Sequence, residues 1–328
     1  GIGVYYTRWD YAGVSFAILE DRKFKSAPGN VLPPEAEVVN GWIQNPDFDI
    51  RAHPDPQEAE LLGARQMDFL AEWSADWSGD AYMKVVLSQT NFAAVHTIPS
   101  DATSGAVLPS LPMPRPGEYV EGDKLAVDMD SNGWPSGRRD EVLGLMRRCS
   151  AFHVAGDQHL ATVVRHGIDE FGDAGFTFTG PALNNIWPRR WWPPRSLREA
   201  PLEAGGPAYT GDFFDGFGNR ITVHASANPR ATGLEPAIIR DRVTGYGLVT
   251  FDKASERITV ECWPRHVDPT RNAGGQYDGW PISVARDDGD GRAPIGFLPT
   301  VRVLGLSDPV VELRTDSGEL VYTKRIIG

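Results

Sequence analysis

Phe152-His153-Val154-Ala155-Gly156-Asp157-Gln158-His159 is the stretch that decides how this chain folds. Four mostly apolar, strand-forming residues run into a glycine, and the glycine opens a turn carrying a carboxylate and an imidazole two positions apart. The segment reads as a buried strand that stops at a polar tip. Two earlier runs have the same form. Val14 to Glu20 is mostly apolar and ends in Asp21-Arg22-Lys23, and Lys84 to Gln89 is a short apolar run ending in Gln89. Between the runs lie helix signals. Asp55-Pro56-Gln57-Glu58 offers an N-cap Asp, a proline at the first helical position and a Glu three residues after the cap. Leu62, Phe69, Leu70, Trp73 and Trp77 follow at helical spacing, so a helix is expected from Asp55 to about Trp77. A second is expected from Ser136 to Cys149, burying Val142, Leu145, Met146 and Cys149. Strand, helix, strand, helix, strand is the pattern of an α/β fold with a parallel sheet and right-handed crossovers. Ligands of such sheets bind beyond the carboxyl ends of the strands, so the tips at Asp21, Gln89 and Asp157 should converge.

Outward from these strands, the chain divides near residue 205. Residues 1–205 carry the core pattern, interrupted by a long loop with Pro99, Pro109, Pro112, Pro114 and Pro116 that is expected to be functional or to wrap another element. Residues 206–328 are β-rich, with expected strands at Arg220 to Ala225, Gly247 to Phe251, Arg257 to Cys262, Thr300 to Leu304, Val310 to Arg314 and Leu320 to Arg325. Asp252 to Ser255 and Thr315 to Gly318 read as hairpin turns, so a β-sandwich or an added antiparallel layer is expected there.

Composition bounds the function classes. With 41% hydrophobic and 23% charged residues the chain is globular rather than disordered. Its net charge of -12 opposes a role on nucleic acid or an anionic membrane surface. No apolar run approaches the roughly 20 residues of a membrane span. The two cysteines, Cys149 and Cys262, form no metal or disulfide pattern and leave the redox compartment open. The start at Gly1, without an initiator Met or a signal pattern, points to a fragment or a processed chain.

The candidate chemistry is concentrated at the third strand tip. Asp157 and His159 on one tight turn can reach a single metal ion or two adjacent ones. Asp128-Met129-Asp130-Ser131-Asn132-Gly133 matches the first half of an EF-hand loop, but position seven is Trp134, Pro135 follows it, and Arg139 stands at the twelfth position, where a bidentate Glu belongs. It reads as a turn ahead of the second helix, with cation binding as the secondary reading. His53, His96, His153, His166, His224 and His266 are scattered, and His153 and His224 read as structural groups inside β-runs. There is no nucleophile elbow, P-loop or dinucleotide fingerprint, which removes serine hydrolases and nucleotide-binding proteins from consideration. Trp187, Trp191 and Trp192 read as an interdomain fastening, with a ligand-stacking wall as the alternative.

Taken in order, five blocks resemble the carboxyl-terminal half of PhoD-like metallophosphoesterases: Phe16 to Lys25, Leu62 to Leu70, Val85 to Thr90, Asp128 to Arg139, and Gly156 to His159. The resemblance runs from residue 8 to about 185. It implies a metallophosphatase-like layered sheet-and-helix core, present in part, and a two-metal or iron-calcium centre of divalent or trivalent ions. It further implies hydrolysis of phosphomonoesters or phosphodiesters outside the cytoplasm, periplasmic or secreted. It transfers Asp157 and His159 alone, as metal-site residues, with His159 as the catalytic residue if it protonates the leaving group; Arg22 and Gln89 are expected to contact the phosphate of the substrate or the metal shell because of their strand-end location. The family's upstream ligand blocks do not precede Gly1, and Gly79-Asp80-Ala81-Tyr82 lies after the first helix, where no such block belongs. The missing amino-terminal half is therefore an expected partner, and a chain without it should be less stable, self-associated or completed by another polypeptide. Two alternatives stand beside this reading: a catalytically silent fragment, and a module that holds a glycan or wall polymer on its tryptophans.

Overall fold

The computed structural model describes residues 3, 5–184, 186–297 and 299–327. Its centre is an eight-stranded mixed sheet of β1 (Thr7–Tyr11), β2 (Val14–Ile18), β3 (Met83–Leu87), β4 (Phe152–Ala155), β5 (Thr162–His166), β6 (Phe176–Thr179), β7 (Gly211–Phe214) and β8 (Arg220–Ser226). Across the sheet the order is β1-β2-β3-β4-β6-β5-β8-β7. The three strands read from sequence lie side by side and parallel, with Val14 opposite Met83 and Val85 opposite Phe152. β6 continues the parallel set beside β4, while β1, β5, β7 and β8 pair antiparallel. The fold is thus mixed α/β, rich in sheet.

Alternation along the strands sorts the core into two layers. From β2 and β3, Ala17 and Val86 face helices α1 (Ala64–Ala75) and α2 (Ser136–Arg147), meeting Leu70, Trp73, Val142 and Leu143. Val14, Met83 and Val85 face the other way and pack on a second sheet. That sheet is β9 (Gly245–Asp252), β10 (Arg257–Pro264) and β11 (Ile282–Ala285), with Ile258, Val260 and Cys262 facing the core. The added antiparallel layer expected from sequence is therefore present, and both faces of the large sheet are covered by the chain's own elements. A last hairpin, β12 (Val310–Arg314) and β13 (Leu320–Arg325), is tied to α2 where the Thr323 amide donates to the Arg148 carbonyl at 2.7 Å. Among the described residues no helix is long and apolar enough to cross a membrane.

Two expectations are corrected, the start of the first helix and the strand at Thr300 to Leu304. Helix α1 starts at Ala64 with Gly63 as its N-cap, not at Asp55. Asp55 instead accepts the Gly137 amide at 2.8 Å and so caps the first turn of α2, while residues 56–59 close a turn of their own. Thr300 to Leu304 forms no strand; Val301 and Leu304 are about four-fifths exposed, and among the described residues no neighbouring strand pairs with them. β7 and β8, beyond residue 205, belong to the large sheet, which therefore runs across that position. Both cysteines are buried and unpaired, with burial pushing the Cys149 and Cys262 thiols up.

Candidate functional site at the parallel strand tips

The tips of β2, β3 and β4 are stitched to one another. The buried Asp21 carboxylate accepts the amides of Gln89 (3.2 Å) and Thr90 (3.1 Å) and the side-chain amide of Asn132 (2.5 Å). The Gly156 amide donates to the Gln89 carbonyl at 3.0 Å. These bonds satisfy backbone groups left over where the ladders end, and they bring the three tips together as expected for a parallel sheet. Asp21 is a fastening group rather than a site group.

Above this base sits Arg22. Its guanidinium donates to Asp157 and lies 3.1 Å from Asp130. Arg22 is half-buried, while Asp130 and Asp157 reach solvent. Asp157 has φ +62° and His159 φ +54°, so two residues of the turn after β4 occupy the left-handed region. Non-glycine residues at such angles are strained and concentrate where a side chain must be aimed. The His159 ring is half-buried, with Nδ1 3.2 Å from the Trp187 carbonyl. A carbonyl can only accept, so Nδ1 carries the proton and Nε2 the lone pair. Burial holds the imidazole pKa below its ordinary value, with Arg189 acting in the same direction. Gln89 is exposed, and its backbone is part of the stitching described above.

The Trp187 carbonyl links this group to a second cluster absent from the sequence reading. Arg189 Nη1 lies 3.0 Å from His96 Nε2, and Nη2 lies 3.5 Å from the Asp128 carboxylate. Burial holds His96 well below its usual pKa and pushes Asp128 up. A Cβ at Gly105 would stand 2.3 Å from Arg189 Nη1, so a larger residue there would push the guanidinium aside. Trp42, Gln44, Ser104, Trp187 and Arg189 border a recess of about 270 Å³. No motif joins Arg189 to Asp128 in sequence; only the Asp128 block itself was a signal. The half EF-hand is not assembled, since Asp128 faces Arg189, Asp130 faces Arg22 and Asn132 faces Asp21. Lys25 anchors the same loop from below by donating to the Met129 carbonyl at 2.6 Å, and burial lowers its pKa to about 8.

A carboxylate and a neutral imidazole on one turn are the right kind of donors for a cation, and the buried oxygens Asn91 Oδ1 and Asn132 Oδ1 lack hydrogen-bond partners among the described residues. The number falls short. Among the described residues, no group of three or more His, Cys, Asp or Glu surrounds one point. Asp157 is meanwhile shared with Arg22, so a cation would compete with a guanidinium for it. The described residues by themselves do not complete a metal centre.

The tryptophan cluster is divided. Trp191 is fully buried, edge-on to Phe213 at 5.4 Å with its indole donating to the Tyr209 carbonyl, so it fastens the sheet and is no stacking surface. Trp187 is 38% exposed beside His159, whereas Trp192 is 7% exposed. His153 and His224 lie inside the sheet as expected of structural groups: His153 sits between Ser88 and Thr177, and His224 packs on Phe176.

Comparison with known proteins returns one solved structure, titled "Structure of PhoD", at 18% identity and a TM-score of 0.33. The match covers 54% of this chain and 28% of that one, so the chain spans little more than a quarter of that protein's length. No protein-family model matches the sequence, and no curated protein does.

Proposed function

We propose that the strand tips form one side of the active centre of a metal-dependent phosphomonoester or phosphodiester hydrolase of the PhoD-like type. The observation that carries this reading is Arg22 laid against Asp157 at the carboxyl ends of parallel strands, which puts a phosphate-binding fork beside a ligand-type carboxylate and imidazole. In this proposal Asp157 and His159 are ligands to a di- or trivalent cation such as calcium or iron. Their remaining partners come from a segment of the same protein outside these 328 residues. A bound cation there supplies Lewis-acid stabilisation of the phosphoryl oxygens. The lone pair on His159 Nε2 and the lowered pKa favour ligation over proton donation to the leaving group, the other role open to this side chain. Arg22 and Gln89 meet the phosphate, and the extracytoplasmic setting implied by the resemblance belongs to the same proposal.

Elemental analysis of the full protein, in which these 328 residues are joined to the segment that carries the remaining ligands, with hydrolysis of p-nitrophenyl phosphate and bis(p-nitrophenyl) phosphate in added calcium or iron, tests it. Bound metal and turnover, both lost in Asp157→Asn, are the expected result. Absence of both in the unaltered full protein overturns the hydrolase reading, turnover by the 328 residues alone overturns the silent-fragment reading, and turnover indifferent to Asp157→Asn overturns the site assignment.

A further inference from the structure

The large sheet has one covered edge and one open edge. At β7 the Asp212 amide donates to the Ala200 carbonyl at 2.8 Å and the Glu199 amide to the Asp212 carbonyl at 2.9 Å, so the chain covers that edge itself. At β1 no described segment does so. The hairpin fixes which backbone groups are left over there. Ala12 and Gly13 have φ +52° and +79°, the two-residue turn that makes Tyr11 and Val14 a hydrogen-bonded pair. Thr7, Trp9 and Tyr11 therefore direct their backbone groups at β2, and Arg8 and Asp10 direct theirs outward. The far side of β2 agrees, since the Leu19 amide donates to the Leu87 carbonyl at 2.8 Å, away from β1. Among the described residues the amides of Arg8 and Asp10 have no acceptor, and the Arg8 carbonyl meets only the Thr7 hydroxyl, at 3.3 Å. Such an edge is a template for another strand. No proline or bulge interrupts Thr7–Tyr11, and Trp9 and Tyr11 are 51% and 64% exposed.

Charge selects the occupant. When β1 pairs antiparallel with β1 of a second copy about a two-fold axis, outward groups must meet outward groups, which leaves registers centred on Arg8, Trp9 or Asp10. Centring on Arg8 sets two guanidinium groups opposite each other, and centring on Asp10 sets two carboxylates opposite each other; like charges so placed destabilise a strand pair. Centring on Trp9 instead puts Arg8 opposite the partner's Asp10 twice over. Within one chain Arg8 already lies 2.8 Å from Asp10 and also pairs with Asp76. The Asp10 side chain is 46% exposed, which leaves room for a second guanidinium. In the same register Trp9 faces its own copy as a non-hydrogen-bonded pair, the position at which opposite side chains come closest. The edge is therefore complementary to itself in backbone, charge and apolar surface.

We infer that two copies of this chain associate through β1, antiparallel and centred on Trp9, so that the large sheet runs on from one protomer into its partner. The edge is short, so the dimer is weak and depends on concentration. Sedimentation of the full chain from micromolar to millimolar concentration tests this, with a reversible dimer as the expected result. Asp10→Arg and Arg8→Asp, each alone, should weaken association by about 10-fold, because both facing pairs become like-charged. An equimolar mixture of the two variants should recover it, because arginines of one then face carboxylates of the other. Near-ultraviolet circular dichroism reports whether each variant is folded. A second readout does not depend on the charge variants. Trp9→Cys should form an intermolecular disulfide on mild oxidation, since a non-hydrogen-bonded pair holds facing Cα atoms about 4.5 Å apart. Tyr11→Cys, which faces Thr7 of the partner subunit, should not, and the native Cys149 and Cys262 are buried. A monomer at every concentration, as when this edge takes a strand from a different polypeptide, would overturn the inference. So would a dimer undiminished in both charge variants, no recovery on mixing the folded variants, or crosslinking through Tyr11→Cys in place of Trp9→Cys.

Discussion

At the scale of single residues, the strand-tip geometry makes Arg22 the side chain most worth changing. Its guanidinium is held by Asp157 and Asp130 and remains partly open to solvent. If it grips phosphate, Arg22→Ala should lower kcat/KM for phosphoester hydrolysis by about 10²-fold, the usual loss for an electrostatic donor to a reacting oxyanion. Arg22→Lys should recover only part, because an ammonium cannot form the bidentate fork. Steady-state kinetics on the three proteins check this. Asp157→Asn is the matching control for fold, since Asn tolerates the left-handed backbone at φ +62°. Beneath the tips, His153 has Nε2 at 2.8 Å from the Ser88 hydroxyl and Nδ1 at 2.9 Å from that of Thr177, and burial pushes its pKa down to about 3 from 6.5. The folded state keeps this ring neutral while the unfolded chain protonates it below pH 6.5. Stability is therefore complete above that value and is lost as pH falls toward 3. At pH 5 the loss from one such histidine is about 2 kcal/mol. His96 and His166, both buried with lowered pKa, act in the same direction. The melting temperature should fall between pH 7 and pH 5, and His153→Gln should flatten that fall while lowering stability at pH 7. Thermal melts across the range measure both effects, and a pH-independent melting temperature would contradict the assignment.

At the scale of elements, what was legible in sequence followed from packing, and what was missed followed from tertiary partners. β2, β3 and β4 were readable because their alternation feeds two apolar layers, so period and burial agree. β1 was not, because Thr7–Tyr11 is a largely exposed edge strand with little apolar pattern. β5 and β6 are short, and their assignment depends on pairing with each other and with β8. The start of α1 was misplaced because Asp55 does carry a cap, but for another helix. Local sequence cannot tell which amide a carboxylate will meet 82 positions away. This makes a discriminating prediction. Asp55→Ala should cost about 1 kcal/mol, the usual value for losing a cap, and should speed amide exchange in the first turn of α2 while leaving the first turn of α1 unchanged. Hydrogen exchange by mass spectrometry resolves the two segments, and faster exchange confined to residues 56–66 would restore the original placement. The candidate site was legible to the same degree: Arg22, Gln89 and Asp157 are strand-end residues and could be read, whereas Arg189 and His96 meet Asp128 only through loops.

At the scale of the whole molecule, the division near residue 205 can be tested against the way the layers share their residues. The cluster holding β5, β7 and β8 is built from Ala93, Val95, Leu160, Val164 and Trp191 on one side of that position and Phe213, Ile221 and Val223 on the other. The opposite layer joins Val14, Val85, Phe152 and Phe178 to Ile258, Val260 and Cys262. A chain ending at 205 would leave the outer edge of β5 unpaired and one face of the large sheet bare, exposing apolar area worth about 25 cal/mol per Å² along with backbone groups that need partners. Residues 1–205 alone are therefore expected to bind a hydrophobic dye, to lack near-ultraviolet circular dichroism and to melt without a cooperative transition. Residues 206–328 alone should fare no better, because β7 and β8 would be separated from the strands they extend. The intact chain, with both faces covered, should melt cooperatively. If both pieces melted cooperatively, with transitions that together reproduce that of the intact chain, residue 205 would be a true domain boundary. The shared clusters would then be a contact between two independent units rather than one core.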